Sequence, residues 1–136
     1  MLRAIIDTNV FVSGLLGSST CRKIFSAFKE YSFQVIISPI LFEELESVVN
    51  RPKFHQFINT EEKQELLTFI KYQALFVTPH EKINACRDTE DNKLLECLST
   101  AKPDWLVSSD KDLLVLKTFR NIPILTPREF LNRLKK

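Results

Sequence analysis

The sequence predicts an α/β fold, a three-layer α/β/α sandwich around a mostly parallel sheet of roughly five strands. Three observations lead there. Short apolar runs such as Ala4-Ile5-Ile6 and Val35-Ile36-Ile37 recur without polar alternation, which marks strands buried on both faces. Between them lie segments whose apolar residues return every three or four positions, as in helices with one inward stripe. Helix-start signals follow several runs directly, as at Ser38-Pro39 and Thr126-Pro127, so strand and helix alternate rather than segregate.

Residues 3–6 read as a first strand ending at Asp7. Residues 18–30 read as a helix with Ile24, Phe25 and Phe28 on one face. Residues 33–37 form a second strand, which runs into Ser38 as N-cap and Pro39 at the first helical position of a helix reaching Asn50. Arg51-Pro52 stops it, and Asn59-Thr60-Glu61-Glu62 opens another helix reaching Tyr72. Residues 74–77 are a third strand, ended by Pro79, and Asp88 caps a helix over 90–101. Residues 104–107 make a fourth strand, 111–117 a short helix and 122–125 a fifth strand. Thr126-Pro127-Arg128-Glu129 is a capping box, the clearest helix start in the chain.

With 136 residues, 44% of them apolar, the chain can bury a proper core without disulfides or a structural metal, and residues 1–136 are expected to form a single domain. Cys21, Cys86 and Cys97 are odd in number and lack any CxxC spacing, which suits small buried side chains in a reducing compartment rather than a zinc site. No signal-peptide pattern begins the chain, and no apolar run approaches the ~18 residues of a membrane span. A cytoplasmic protein with no membrane partner is the expectation. The net charge of +2 includes four acids singled out below; without them the rest is more basic, which suits a polyanionic substrate cut in an acidic pocket.

Those acids are Asp7, Glu44, Asp91 and Asp110. Asp7 and Asp110 end the first and fourth strands, and open parallel sheets gather their functional groups beyond the carboxyl ends of the strands. On the helix opened by Ser38, Leu41, Phe42, Leu45, Val48 and Val49 define the apolar stripe. Glu44 falls inside its margin, whereas Glu43 and Glu46 point away. On the helix after Asp88, Leu94, Leu95, Leu98 and Ala101 form the inner face. Asp91 sits ~50° from its centre and Glu96 on the opposite side. Two carboxylates ~5 Å apart at an effective dielectric of ~20 repel by about 3 kcal/mol, so converging acids need protons or a cation. Oxygen ligands without His or Cys select a hard ion, Mg²⁺ or Mn²⁺, and metal-assisted phosphodiester hydrolysis is the chemistry such a pocket serves.

These residues resemble the PIN-domain nuclease family. The matching stretches are Ile5-Ile6-Asp7-Thr8-Asn9-Val10, Ser38-Pro39 with Glu44-Leu45, Asp88-Thr89-Glu90-Asp91-Asn92, and Val107-Ser108-Ser109-Asp110-Lys111-Asp112-Leu113-Leu114. The resemblance implies that Asp7, Glu44, Asp91 and Asp110 bind metal and carry catalysis, with Asp112 and Asp88 as accessory acids. Thr8, Asn9, Ser38 and Ser108 would support the ligands or orient the attacking water. It implies a PIN-like sandwich and an Mg²⁺- or Mn²⁺-dependent endoribonuclease. Its short length and the Asp88–Asn92 segment look most like the toxin components of bacterial toxin–antitoxin pairs, which implies an RNA substrate, a small antitoxin protein as partner and a homodimer. Ser109 departs from the family pattern, where Gly commonly stands, and its Cβ is expected to narrow access or alter the turn.

Three other readings compete. A housekeeping RNA-processing nuclease would carry the same residues. A phosphatase with Asp7 as nucleophile needs a second acid two residues on, where this chain has Asn9. A non-enzymatic interaction protein that kept the fold conflicts with the intact set of four acids. Phe54, Phe57 and Phe69 are read as core, with a dimer surface as the alternative.

Overall fold

The computed structural model describes residues 1–135. β1 (Arg3–Ile6) leads into α1 (Thr8–Leu15) and α2 (Ser19–Lys29), then β2 (Gln34–Ile37), α3 (Pro39–Val49), a single 3-10 turn (Pro52–Phe54) and α4 (Thr60–Gln73). β3 (Leu75–Phe76), α5 (Thr89–Ala101), β4 (Trp105–Val107), α6 (Lys111–Leu114), β5 (Thr118–Phe119), β6 (Ile122–Leu125) and α7 (Pro127–Leu134) follow. The strand order is β3-β2-β1-β4-β6-β5. Every pairing is parallel except that of β5 with β6.

The order explains where function can sit. From β1 the chain steps outward through β2 to β3, then crosses back to lay β4 against the other side of β1. The crevice at that reversal lies between β1 and β4, and after β6 the chain returns α7 to pack against α2. Ile6 pairs with Val107 there, and the amide of Asp7 donates to the carbonyl of Val107 at 2.9 Å. Asp7 and Ser108 thus leave the sheet side by side.

The central strands are short and largely apolar because both faces are covered: Ile5, Ile36 and Leu106 are fully buried. On one face Phe130 of α7 stacks edge-on against Phe33 (centroids 4.8 Å apart) and Trp105 (5.7 Å). Phe69 joins Phe25 and Phe28 beside it, as core rather than as a free surface. Phe54 is half-buried, whereas Phe57 is exposed.

Besides the 3-10 turn, two elements have no counterpart in the sequence expectation. α1 forms where Thr8-Asn9-Val10-Phe11-Val12 carries β-branched and polar residues poor in helix propensity. It is capped by Asp7 and buried through Val10, Phe11, Val12 and Leu15, so tertiary packing overrides propensity. Gly14 lets α2 approach closely; a Cβ there would meet the Arg22 amide nitrogen at 3.4 Å. β5 is the antiparallel arm of a hairpin turned by Arg120 and Asn121, both at positive φ (49° and 68°). Such two-residue turns usually announce themselves as Asn-Gly, a signature absent here.

Candidate metal centre

Asp7 directly follows the last residue of β1, and its carboxylate finds two donors there. One oxygen caps α1 through the Asn9 amide at 3.1 Å; the other accepts the Ser108 hydroxyl at 2.8 Å. Ser108 is fully buried and its Oγ also accepts the Asp110 amide at 3.0 Å, so one hydroxyl ties the ends of β1 and β4 together. Asp110 in turn caps α6 through the Asp112 amide at 2.8 Å.

α5 supplies the facing side. Asp88 caps it through the Glu90 amide at 2.8 Å, and Asp91 lies in its first turn with 4% of its surface exposed. α3 brings Glu44, half-buried, from a third direction. One carboxylate oxygen from each of Asp88, Asp91 and Asp110 lies within 4.8 Å of the others. The cavity around them, about 100 Å³, is also walled by Asp7, Thr8, Asn9, Glu44 and Glu90.

The electrostatics follow from that crowding. Asp91 is pushed up to about 7, first by burial and then by the charges of Asp110, Asp88 and Asp7. Glu44 is pushed up to about 8 by burial, by sharing its proton with Glu90 and by the charges of Glu90 and Asp7. Glu90 is lowered as the acceptor of that proton and by its bond to Lys93. Asp7 is raised by burial, a rise that the Ser108 and Asn9 hydrogen bonds oppose.

Among the described residues, Asp91 Oδ2 is the buried side-chain oxygen with no hydrogen-bond partner. A partnerless carboxylate oxygen at that depth is costly unless it is protonated or coordinates an ion. Its neighbours are oxygen donors of a kind that hard divalent cations take, so the residues present fit such an ion. The nearby Cys86 thiol does not compete: burial and the surrounding aspartates push its pKa up and keep it protonated.

The cavity thus brings together Asp7, Glu44, Asp91 and Asp110, the four acids singled out in the sequence, with Thr8 and Asn9 in its wall. Asp88, an accessory acid in the sequence reading, lies within the tight trio. Asp112 sits outside the wall, its carboxylate paired with Arg87 at 3.3 Å, because its backbone amide is what faces Asp110. Ser38 is fully buried and caps α3 through the Leu41 amide at 3.3 Å, also outside the wall. Ser109 is exposed, away from the positive-φ region and not part of the wall, so its Cβ neither strains the turn nor narrows the cavity. Glu90 is an addition; its position beside Asp91 in a helix first turn was the available signal, but spacing gives no hint of its pairing with Glu44.

A doubly wound α/β sheet with a carboxylate cavity at its switch point is the kind of site in which an enzyme of this architecture could hold a divalent cation. Residues 3–112 match the PIN domain family, and the chain belongs to it. Membership implies nuclease activity, and the Asp88–Asp91–Asp110 cluster can bind the metal ion that PIN nucleases use. The chain is also similar to an uncharacterized protein of Methanocaldococcus jannaschii, 26% identical over 145 aligned positions that cover 99% of this chain and 93% of that protein. No helix among the described residues is long and apolar enough to cross a membrane.

Proposed function

We propose that this protein is an endoribonuclease that depends on Mg²⁺ or Mn²⁺ and acts as the toxin of a toxin–antitoxin pair. The observation that carries the catalytic part is the partnerless, buried Asp91 Oδ2 inside the aspartate trio. Asp88, Asp91 and Asp110 would hold the ion, with Asp7 and Glu44 beside it. A bound ion supplies charge neutralisation at a phosphodiester and a more acidic water for attack. The chain's own residues prepare that setting. Ser108 and the Asn9 amide fix the Asp7 carboxylate, and the polar side chains of Thr8 and Asn9 offer positions to orient water or a phosphate oxygen. A cation beside Glu44 would oppose the burial and neighbouring charges that raise its pKa, favouring its charged form.

RNA as substrate and the toxin role rest on the motif resemblance, above all the Asp88–Asn92 segment. The test is cleavage of matched RNA and DNA oligonucleotides with Mg²⁺, Mn²⁺ and chelator. Metal-dependent RNA cleavage lost in Asp91→Asn is the expected result; cleavage that survives chelator overturns the reading. For the toxin role, induced wild type should arrest growth of a bacterial host and induced Asp91→Asn should not.

A further inference from the structure

The segment Thr78–Arg87, between β3 and α5, has neither helix nor strand, yet its backbone is held at regular intervals. The holding groups all come from one side of α5. Thr100 Oγ1 accepts the His80 amide at 3.0 Å. Ser99 donates its hydroxyl to Glu81, which also pairs with Arg120. Glu96 Oε2 accepts the Ile83 amide at 3.0 Å. Asn92 makes a reciprocal pair with Cys86, accepting its amide at 2.8 Å and donating to its carbonyl at 2.9 Å.

Residues 92, 96, 99 and 100 fall within about 100° of arc on a helix, so a single stripe of α5 runs this ladder. The segment travels antiparallel to the helix, 80, 81, 83 and 86 meeting 100, 99, 96 and 92 in turn. Backbone amides outside helix and sheet need partners, and here side chains supply them. Ile83, buried, anchors the middle of the segment. Asn92 is 5% exposed, and both groups of its amide are committed to Cys86.

The ladder ends two residues before Asp88. Asp88 is the exposed member of the aspartate trio, and its closeness to Asp91 and Asp110 is opposed by like-charge repulsion. We infer that the ladder is a positioning device: Asn92 and Glu96, without touching the ion, hold the Thr78–Arg87 strap so that Asp88 stays within reach of Asp91 and Asp110. The inference rests on the metal-site reading of the trio. Cation binding and strap closure are then linked, and linkage is reciprocal: whatever loosens the strap weakens the ion, and the ion tightens the strap.

The experiment measures Mn²⁺ affinity by electron paramagnetic resonance for wild type, Asn92→Ala, Glu96→Ala and Thr100→Val, with deuterium exchange of the 78–88 peptide with and without Mg²⁺. Groups that support metal ligands typically change affinity by 10–100-fold. We expect about tenfold weaker Mn²⁺ binding in Asn92→Ala, a smaller loss in Glu96→Ala, and slower exchange of the strap when Mg²⁺ is present. Glu96→Ala keeps the test alive if Asn92→Ala does not fold, because Glu96 stands a full turn further along α5. Wild-type affinity in variants whose strap exchanges faster overturns the positioning role alone. A wild type that binds no Mn²⁺ overturns both this inference and the metal-site reading.

Discussion

Ser108 and Asp7 stand 101 positions apart in the chain and share a buried hydrogen bond of 2.8 Å. Because the same hydroxyl accepts the Asp110 amide, it serves both strand-end acids at once. Ser108→Ala removes the donor to Asp7 and the acceptor for Asp110 together. Leaving buried polar groups unsatisfied costs about 1–3 kcal/mol, and that loss is the expected drop in urea-unfolding free energy. Asp7, raised already by burial, should rise further without the bond, so Mn²⁺ binding at pH 6 should weaken more than at pH 8. Equal stability of the two proteins would contradict this account.

Asp91→Asn should separate folding from function. The buried carboxylate opposes the charges of Asp110, Asp88 and Asp7, so its neutral replacement relieves the metal-free protein. Calorimetry without metal should show an unchanged or higher melting temperature, by about 3–5 °C if 1 kcal/mol of repulsion is removed. Metal binding and cleavage should vanish together in the same variant.

The pH dependence has a definite sign. Asp91 near 7 and Glu44 near 8 mean that the folded, metal-free protein holds protons more tightly than the unfolded chain does. Their contribution is therefore full below the ordinary carboxylate range and is lost as pH rises through about 7 and 8. Glu62, Glu81 and Glu129 are lowered, so their losses come only as pH falls into the acid range. Thermal melts in chelator should decline from pH 5.5 to 8.5, and Mn²⁺ should flatten the decline. Mn²⁺ affinity should rise by about tenfold per pH unit for each proton displaced, levelling off above pH 8.

Phe130 tests how far the fold extends beyond residue 112, where the family match ends. It is fully buried between Phe33 and Trp105, so Phe130→Ala should cost about 3–5 kcal/mol in urea unfolding. A chain cut after residue 112 loses this ring together with β6, which pairs with β4, and should fail to fold.

The fold was legible wherever local chemistry and tertiary packing agree. Ser38-Pro39 and the Thr126–Glu129 box open α3 and α7 as the sequence says, and both capping bonds are made in each direction at Thr126. α1 was hidden because its residues favour extended backbone and only the surrounding core makes it helical. β5 was hidden because a pair of residues next to a left-handed turn carries no periodicity. At the site, strand ends and helix faces reveal Asp7, Glu44, Asp91 and Asp110 as inward-directed acids. Periodicity also sends Glu96 to the outer side of α5, but its partner there is the strap, not solvent. A helix wheel reads only toward the core and cannot see irregular chain laid across the other side.

The interleaving of β4 between β1 and β6 has a consequence for synthesis on the ribosome. α1 and α2 can assemble on β1 while translation is still under way, but Asp7 emerges a hundred residues before its hydroxyl partner. Until α5 and β4 have been made, the pocket lacks Asp88, Asp91 and Asp110 alike. A nascent chain therefore carries the acids of the pocket on separate stretches, which can meet only once α5 and β4 have both been made.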